Sequence, residues 1–441
     1  MIDRAVLLNA FQPATEVDDP ERFAGRGPQV RELADSLSAI GSTPLIYGDR
    51  GLGKSSLALQ IRRIAMGDVG LLTHLKAERL ALPDERQYLT FFVTCTDATR
   101  TFPDLLQALV NAAESVENAP SAGAGPDASE LVDRTTRRKL TIKIFELEST
   151  KKYKTESQRL SYQDLNLEEK LVQLCDLLIA AYGQPVLFII DELDRMRDTD
   201  GLASFLKAVS GQMLKFVLVG IASNVADLLA DHQSLERHLV PVRVPLMTKV
   251  ELGQIVTKAQ SHLAEQGVSL RFTDRAILHL AAVASGFPWF VHVLGQQALV
   301  DADLRGDEVI DAGDVSRSIE LIVANRFAQQ FADMYQTAVR DSMNRELTLR
   351  AFAEWSDADI PTGEVYRLLE GALGIKGGST YRGHLCTAEY GSVLFAPAFQ
   401  KRGLVRFRND MFKAYVRMRP SIYDGVDVRV RDAWQHHWRP T

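Results

Sequence analysis

The chain has 441 residues, enough for two or three domains that each bury a hydrophobic core. Its composition is that of an ordinary globular protein, and a formal net charge of −6 argues against a general affinity for nucleic acid. The three cysteines are widely spaced and form no CxxC pair, which argues against a disulfide framework or a zinc site. No run approaches 18 apolar residues, and the N-terminus lacks a signal-peptide pattern, so we expect a cytoplasmic protein that does not contact membranes.

The first half of the chain alternates apolar runs with segments of helical periodicity, which predicts an α/β fold around a parallel sheet. Predicted strands cover residues 42–47, 89–96, 185–190, 215–223 and 242–246. Predicted helices cover residues 29–40, 56–65, 103–116 and 165–182. Residues 117–163 read as an insertion into this core, since they begin with an Ala-, Gly- and Pro-rich stretch and continue into a short hairpin pattern near residues 140–144.

A glycine-rich loop follows the first strand and fits G-x-x-x-x-G-K-[ST] without exception. The order strand, glycine-rich turn, helix N-terminus is the context that a phosphate-binding loop (P-loop) requires, because its backbone N–H groups curl around the phosphates. We expect Lys54 to reach the β- and γ-phosphate oxygens of ATP and the Ser55 hydroxyl to ligate Mg²⁺. The predicted nucleotide-binding residues here are Gly48, Asp49, Arg50, Gly51, Leu52, Gly53, Lys54, Ser55 and Ser56.

Two acidic residues end the apolar run at residues 185–190, which has the character of a strand buried on both faces. The carboxyl end of such a strand is where open α/β sheets bind their ligands. We therefore expect Asp191 to contribute to the Mg²⁺ shell and Glu192 to orient and polarise the attacking water. Asp194 is the next candidate for the catalytic carboxylate.

Two further polar residues are candidates for the catalytic site. Asn224, with Ser223, ends the strand that we expect to adjoin the Asp191 strand, where an amide would face the γ-phosphate or its water; a helix N-cap is the alternative. Arg237 follows the next predicted helix at an edge of the sheet. It either neutralises transition-state charge in a neighbouring subunit, or is a solvated surface arginine, or forms an intramolecular salt bridge.

The segment before the first predicted helix carries Gly25 and Arg26, about 22 residues ahead of the P-loop. A glycine here would let the backbone pass close to an adenine. The arginine would brace either the entry segment or the nucleotide. An ordinary turn is the alternative.

After residue 247 we expect the strands to stop. Helical periodicity over residues 248–266, 273–285, 289–304 and 314–337 predicts an all-helical domain. Three short helices (345–355, 361–373, 380–389) and a β ribbon from residue 404 to 416 then have the order of a winged helix. Two basic stretches, residues 134–159 and 401–419, are either phosphate-backbone contacts or solvated surface.

The chain resembles P-loop ATPases of the STAND class, in the origin-recognition-like branch of the AAA+ proteins. The resemblance rests on the motifs at residues 23–26, 48–55, 191–192, 219–224, 234–237 and 286–295. It implies a P-loop core over residues 1–247, a helical lid over 248–338 and a winged-helix-like domain over 339–441. AAA+ proteins often carry an arginine near the start of the helix that holds Gly286. This chain has Gly-Phe-Pro-Trp there, as STAND ATPases do, which implies that Pro288 contacts the nucleotide.

This resemblance implies a switch ATPase that hydrolyses ATP with Mg²⁺, and whose nucleotide state controls its conformation and its assembly with itself or with a partner protein. A DNA-binding regulator or loader of the origin-recognition or transposition type is the alternative. A scaffold that binds nucleotide without turnover is a third hypothesis. The sequence does not identify the activating signal, the partner or the pathway.

Overall fold

The computed structural model of the protein describes residues 3–115, 165–222, 235, 237–325, 330–355, 359–396 and 403–437. It contains two compact units. The sheet unit consists of Glu16–Asp49 and Gly53–Pro245, and the helical unit of Met1–Thr15, Arg50–Leu52 and Leu246–Thr441. The predicted insertion at residues 117–163 and the first basic stretch lie outside the described residues.

The sheet unit is built on five parallel strands in the order β2-β3-β4-β1-β5, which confirms the predicted α/β fold. The strands are β1 (Thr43–Gly48), β2 (Leu89–Thr94), β3 (Val186–Asp191), β4 (Leu214–Ile221) and β5 (Leu239–Arg243). The helices of this unit are α2 (Gly27–Ser38), α3 (Lys54–Ala65), α4 (Gly70–His74), α5 (Phe102–Ser115), α6 (Leu167–Tyr182) and α7 (Leu202–Val209).

The central strands are mostly apolar because helices cover both faces of a parallel sheet. All six residues of β3 are buried. Phe188 stacks on Phe91 of β2 and on Phe216 of β4, with ring centroids 5.2 and 5.6 Å apart. This aromatic layer ties three neighbouring strands together and holds the carboxyl end of β3 in a defined place.

Among its described residues, the helical unit begins with α1 (Arg4–Ala10) and continues with α8 (Lys249–Glu265), α9 (Asp274–Val283), α10 (Pro288–Arg305), α11 (Ala312–Asn325) and α12 (Gln330–Val339). The prediction that strands cease here is wrong in one detail. β6 (Arg271–Phe272) and β7 (Val309–Ile310) form a small parallel pair. Pairs of two residues are too short to show a period of two, so sequence periodicity does not reveal them.

The described residues from 343 onward form further helices and a three-stranded antiparallel sheet. The helices are α13 (Met343–Glu354), α14 (Thr362–Gly371), α15 (Gly378–Leu385), α16 (Asp410–Met418) and α17 (Val426–His437). The strands β8 (Ile360–Pro361), β9 (Leu394–Phe395) and β10 (Leu404–Phe407) pair in the order β8-β10-β9. The predicted ribbon from residue 404 to 416 is therefore too long, since only Leu404–Phe407 is strand and α16 follows it.

The start of α16 has a local cause. The Asn409 side chain accepts a hydrogen bond from the Phe412 backbone N–H at 3.1 Å, which caps the helix and ends the strand.

No helix in the described part of the chain has the length and apolar character needed to cross a membrane.

Candidate nucleotide site

The P-loop connects β1 to α3 and owes its shape to its glycines. A Cβ on Gly48 would lie 2.6 Å from the Val244 carbonyl oxygen, so β1 leaves the sheet through a position that admits no side chain. Gly51 and Gly53 have φ angles of 78° and 82°, in the left-handed region. The helix α3 begins at Lys54, so the loop ends at a helix N-terminus, as the motif predicts.

The side chain of Lys54 folds back over the P-loop. It is only 8% exposed, and its Nζ donates a hydrogen bond to the Asp49 carbonyl oxygen at 2.7 Å. The ammonium group also favours the charged form of Asp191, the carboxylate that ends β3. A buried cation is thereby held next to the loop backbone.

The structure brings together the two predicted Mg²⁺ ligands, Ser55 and Asp191. Asp191 is 5% exposed, and the Ser55 hydroxyl donates a hydrogen bond to its carboxylate. Burial raises the pKa of Asp191, while hydrogen bonds from Ser55 and from the Glu192 backbone act in the opposite direction. A buried carboxylate beside a hydroxyl is an oxygen donor set that fits Mg²⁺, and the cation would offset the cost of burying this charge.

Glu192 lies on a strained turn directly after β3. Its backbone is left-handed (φ 55°, ψ 40°), a conformation that residues other than glycine rarely adopt. Its N–H donates to Asp191 Oδ1 at 2.8 Å, and its carboxylate forms an ion pair with Arg195. Such strain is typical of functional sites, where the surrounding structure holds a side chain in one place.

The strand β4 lies between β1 and β3, which confirms that the strand leading to Asn224 adjoins the Asp191 strand. Ala222 N donates to the Gly48 carbonyl oxygen at 3.4 Å, so the end of β4 reaches the start of the P-loop. Ser223 and Asn224 themselves lie outside the described residues, and their predicted role stays a prediction.

The Gly25–Arg26 turn braces the entry segment in this structure. Both residues have left-handed backbones, and Arg26 is 3% exposed. Its Nη1 donates to the Pro245 carbonyl oxygen at 2.6 Å, which ties the start of α2 to the chain just after β5. Arg26 was expected to brace either the entry segment or the nucleotide. Its observed hydrogen bond to the main chain is the contact expected of the first role.

Ser56 also contacts the entry segment. Its Oγ accepts a hydrogen bond from the Val17 backbone N–H at 3.0 Å. One turn further along α3, the buried Gln60 donates to the carbonyl oxygens of Val17 and Asp18. The P-loop helix therefore holds residues 17–18 along one face, an interaction between distant segments that no local sequence pattern announces.

Arg237 lies away from the Ser55–Asp191 pair. Arg237 is exposed in the turn before β5, and the adjacent His238 carbonyl oxygen accepts from Thr43 N at the start of β1. The arginine is thus at the amino end of the strands, opposite the P-loop. Pro288 is the first residue of α10 in the helical unit, where a fixed φ suits a helix N-terminus.

Sequence reasoning missed several residues around Asp191. The Cys95 backbone N–H donates to the Asp191 carbonyl oxygen at 2.8 Å, and burial raises the pKa of its thiol to about 12, so the thiol stays protonated. Arg195 lies 3.4 Å from Asp97 as well as against Glu192. Of these residues, only Arg195 could have been predicted from the sequence. It follows Glu192 by three positions, a spacing at which Glu and Arg side chains meet in a helical turn.

Lys401 and Arg402 of the second basic stretch lie outside the described residues, and most of its other basic side chains are engaged inside the helical unit. Arg406 pairs with Asp359, Arg417 donates to the Trp355 carbonyl oxygen at 2.5 Å, and the Arg419 guanidinium lies 4.0 Å from the Tyr335 ring centre. Lys413 is 6% exposed. Arg408 is exposed and lies 5.5 Å from the Phe395 ring centre. These contacts argue against reading the whole stretch as a phosphate-binding surface.

Several solved structures are similar to this chain at low identity. They include Cdc6p from Pyrobaculum aerophilum (13% identity, 99% of both chains, TM-score 0.42). The ORC1 protein of Aeropyrum pernix in complex with DNA matches at 17% identity, over 94% of this chain and 95% of that one, with a TM-score of 0.43. The ORC2 protein of Aeropyrum pernix, in ADPNP-ADP complexes, matches at 15% identity over 92% and 94%, with a TM-score of 0.45.

Identities of 13 to 17% with TM-scores of 0.42 to 0.45 give no information about the ligand or the partner of this chain. No curated protein matches the chain. Residues 22–219 match the family model described as "AAA ATPase domain", a stretch that contains the P-loop, Asp191 and Glu192; this part of the chain is therefore similar in sequence to AAA ATPase domains.

Proposed function

We propose that the protein is a STAND/AAA+-like switch ATPase that binds and hydrolyses ATP with Mg²⁺. The observation that carries the proposal is the Ser55–Asp191 hydrogen bond at the start of the P-loop helix, with Glu192 on the adjoining turn. A P-loop, a metal-type oxygen pair and an adjacent carboxylate are the parts that phosphoryl transfer to water requires.

Each residue has a role in this proposal. The P-loop N–H groups and Lys54 would bind the phosphates, while Ser55 and Asp191 would hold the metal. Bound Mg²⁺ supplies charge neutralisation on the phosphates. Glu192 would accept a proton from water, with Asn224 orienting that water.

The switch role concerns what nucleotide binding does to the rest of the molecule. We propose that nucleotide state biases the conformation and assembly of the protein with copies of itself or with a partner protein. The exposed Arg237 lies at the opposite end of the sheet from the P-loop. It would therefore serve the site of a neighbouring subunit and not its own.

The experiment that tests the proposal is calorimetric titration of the protein with ATP and ADP in the presence of Mg²⁺. We expect binding by the wild type and its loss in Lys54→Ala, since the cation facing the phosphates is gone. Lys207→Ala, an exposed lysine on α7, is the matched control and should bind as the wild type does. Equal affinities for wild type and Lys54→Ala would reject the P-loop assignment. Sedimentation with ATP, with ADP and without nucleotide then tests assembly.

A DNA-binding regulator or loader is the second candidate. The observation that favours it is the order α13-β8-α14-α15-β9-β10, with β8, β9 and β10 in one antiparallel sheet, since this is the element order of a winged helix. The exposed Arg408 directly follows β10. We place this candidate second because Arg406, Lys413, Arg417 and Arg419 contact their own unit.

A further inference from the structure

The carboxylate of Glu192 is held by an arginine of its own turn. Arg195 Nε donates to Glu192 Oε2, and the Arg195 backbone N–H donates to the Glu192 carbonyl oxygen at 3.0 Å. Arg195 Nη1 also lies 3.4 Å from Asp97 Oδ1, on the loop that follows β2. The guanidinium therefore bridges two carboxylates from the loops at the ends of β2 and β3.

The turn is built so that this pair forms. The left-handed Glu192 directs its N–H to Asp191, and Leu193–Arg195 forms a single 3₁₀ turn that brings Arg195 back to Glu192. Asp194, between them, points elsewhere and accepts a hydrogen bond from the Ile221 backbone N–H at 2.7 Å. With Asp191 and Asp194 both engaged by other groups, Glu192 is the carboxylate of this turn that Arg195 holds.

We propose that Arg195 is a positioning residue that restrains Glu192 and thereby lowers the basal rate of ATP hydrolysis; this inference rests on the function proposed above. In that reaction the oxygen of water bonds to the γ-phosphorus and the bond from that phosphorus to the β,γ-bridging oxygen breaks, giving ADP and phosphate. Glu192 takes the proton that water loses. While the ion pair is formed, this carboxylate oxygen of Glu192 is occupied by the guanidinium and is not available to the attacking water.

The restraint is weak enough to be released. The side chains of Glu192 and Arg195 are 41% and 42% exposed, so water and salt screen their attraction. The effect of Arg195 on the rate of hydrolysis should therefore be largest at low ionic strength. A salt-dependent rise in kcat that is absent when Glu192 is replaced by Gln separates restraint of this carboxylate from a merely structural role.

The test compares Arg195→Ala with the wild type in steady-state hydrolysis at low and high KCl. We expect Arg195→Ala to raise kcat by about two- to fivefold at low salt, the range of an exposed ion pair, and the difference to shrink at high salt. Arg197→Ala, an exposed arginine of the same loop, is the control and should leave kcat unchanged. Arg195→Ala combined with Glu192→Gln should fall to the rate of Glu192→Gln alone.

A second measurement needs no nucleotide. Hydrogen–deuterium exchange at residues 192–196 of the free protein should be several-fold faster in Arg195→Ala than in Arg197→Ala, because the ion pair closes the turn. An unchanged or lower kcat in Arg195→Ala with normal ADP affinity would overturn the role of Arg195 alone. Absence of nucleotide binding by the wild type would instead overturn the proposed function, and this inference with it.

Discussion

Asp194 Oδ1 accepts a hydrogen bond from the Ile221 backbone N–H at 2.7 Å, which fastens the loop after β3 to the last residue of β4. The two strands are neighbours in the sheet, and each leads to a predicted catalytic residue: Glu192 after β3 and Asn224 after β4. The hydrogen bond thus ties the loop that follows Glu192 to the end of the strand that leads to Asn224.

We expect Asp194→Ala to lower ATP hydrolysis by about tenfold while leaving ADP affinity nearly unchanged. The substitution leaves the Ile221 N–H without its acceptor and loosens the loop, but it touches neither the P-loop nor Asp191. Asp198→Ala, an exposed aspartate further along the loop, is the control. A loss of activity as deep as that of Glu192→Gln would instead make Asp194 the catalytic carboxylate.

Glu192→Gln should keep ATP binding and slow hydrolysis by about 10²-fold or more, the effect expected for losing a general base. The amide has nearly the same size but accepts no proton. Single-turnover hydrolysis and a parallel binding titration separate the two effects. Turnover at the wild-type rate would move the catalytic role to another residue.

The sequence predicted the parts of the site that depend on local pattern. One uninterrupted loop motif contains Gly48, Lys54 and Ser55, and Asp191 directly follows an apolar run. Each of these residues can therefore be recognised from its neighbours in the chain. Their meeting follows from the order of parallel strands. The contact of Arg26 with Pro245 spans 219 positions and is set by tertiary packing alone, so no window of sequence reveals it.

The C-terminal region shows a different limit. Residues 404–416 alternate well enough to read as a ribbon, yet the chain turns helical at Asp410. Asn409 decides this, because its side chain caps the helix at Phe412 N, and tertiary packing of α16 then overrides the β-like alternation. The strands β6 and β7 have only two residues each, which is too short for strand periodicity to appear in the sequence.

Arg237→Ala should cut hydrolysis without weakening ATP binding, if the arginine acts in a neighbouring subunit. Mixing Arg237→Ala with Lys54→Ala should restore part of the activity, because one intact composite site can form between the two variants. Arg79→Ala, which changes another exposed arginine of the sheet unit, is the control. A monomeric protein with no rescue in the mixture would show that Arg237 is a surface residue.

The buried Lys215 gives a prediction about pH. Its Nζ donates to the carbonyl oxygens of Ser36, Leu37 and Ala39 at 2.6 to 2.9 Å, and no carboxylate among the described residues pairs with it. Burial lowers the pKa of Lys215 from 10.5 to about 8. Between these values the unfolded chain binds more protons than the folded one, so this lysine makes stability rise with pH.

We therefore expect the free energy of unfolding of the wild type, relative to that of Lys215→Met, to increase from pH 7.5 to pH 9.5. Denaturant unfolding at several pH values measures this difference directly. Lys207→Met, which changes an exposed lysine, should track the wild type. Parallel stability curves for wild type and Lys215→Met would mean that the three carbonyl oxygens hold the ammonium in its charged form.

The exposed Arg408 separates the two proposed functions. If the C-terminal region binds DNA, Arg408→Glu should weaken binding and reduce its salt dependence by about one phosphate contact. If the region instead serves the nucleotide-controlled switch, the same change should alter basal hydrolysis or assembly and leave DNA binding unaffected. Arg406→Glu is unsuitable as the probe, because it would place a second carboxylate against Asp359 and destabilise the β8–β10 edge.

Fluorescence anisotropy with duplex DNA over a range of KCl concentrations, together with ATPase assays, distinguishes the outcomes. Tight, salt-dependent DNA binding by the wild type that falls in Arg408→Glu would put the DNA-binding function first.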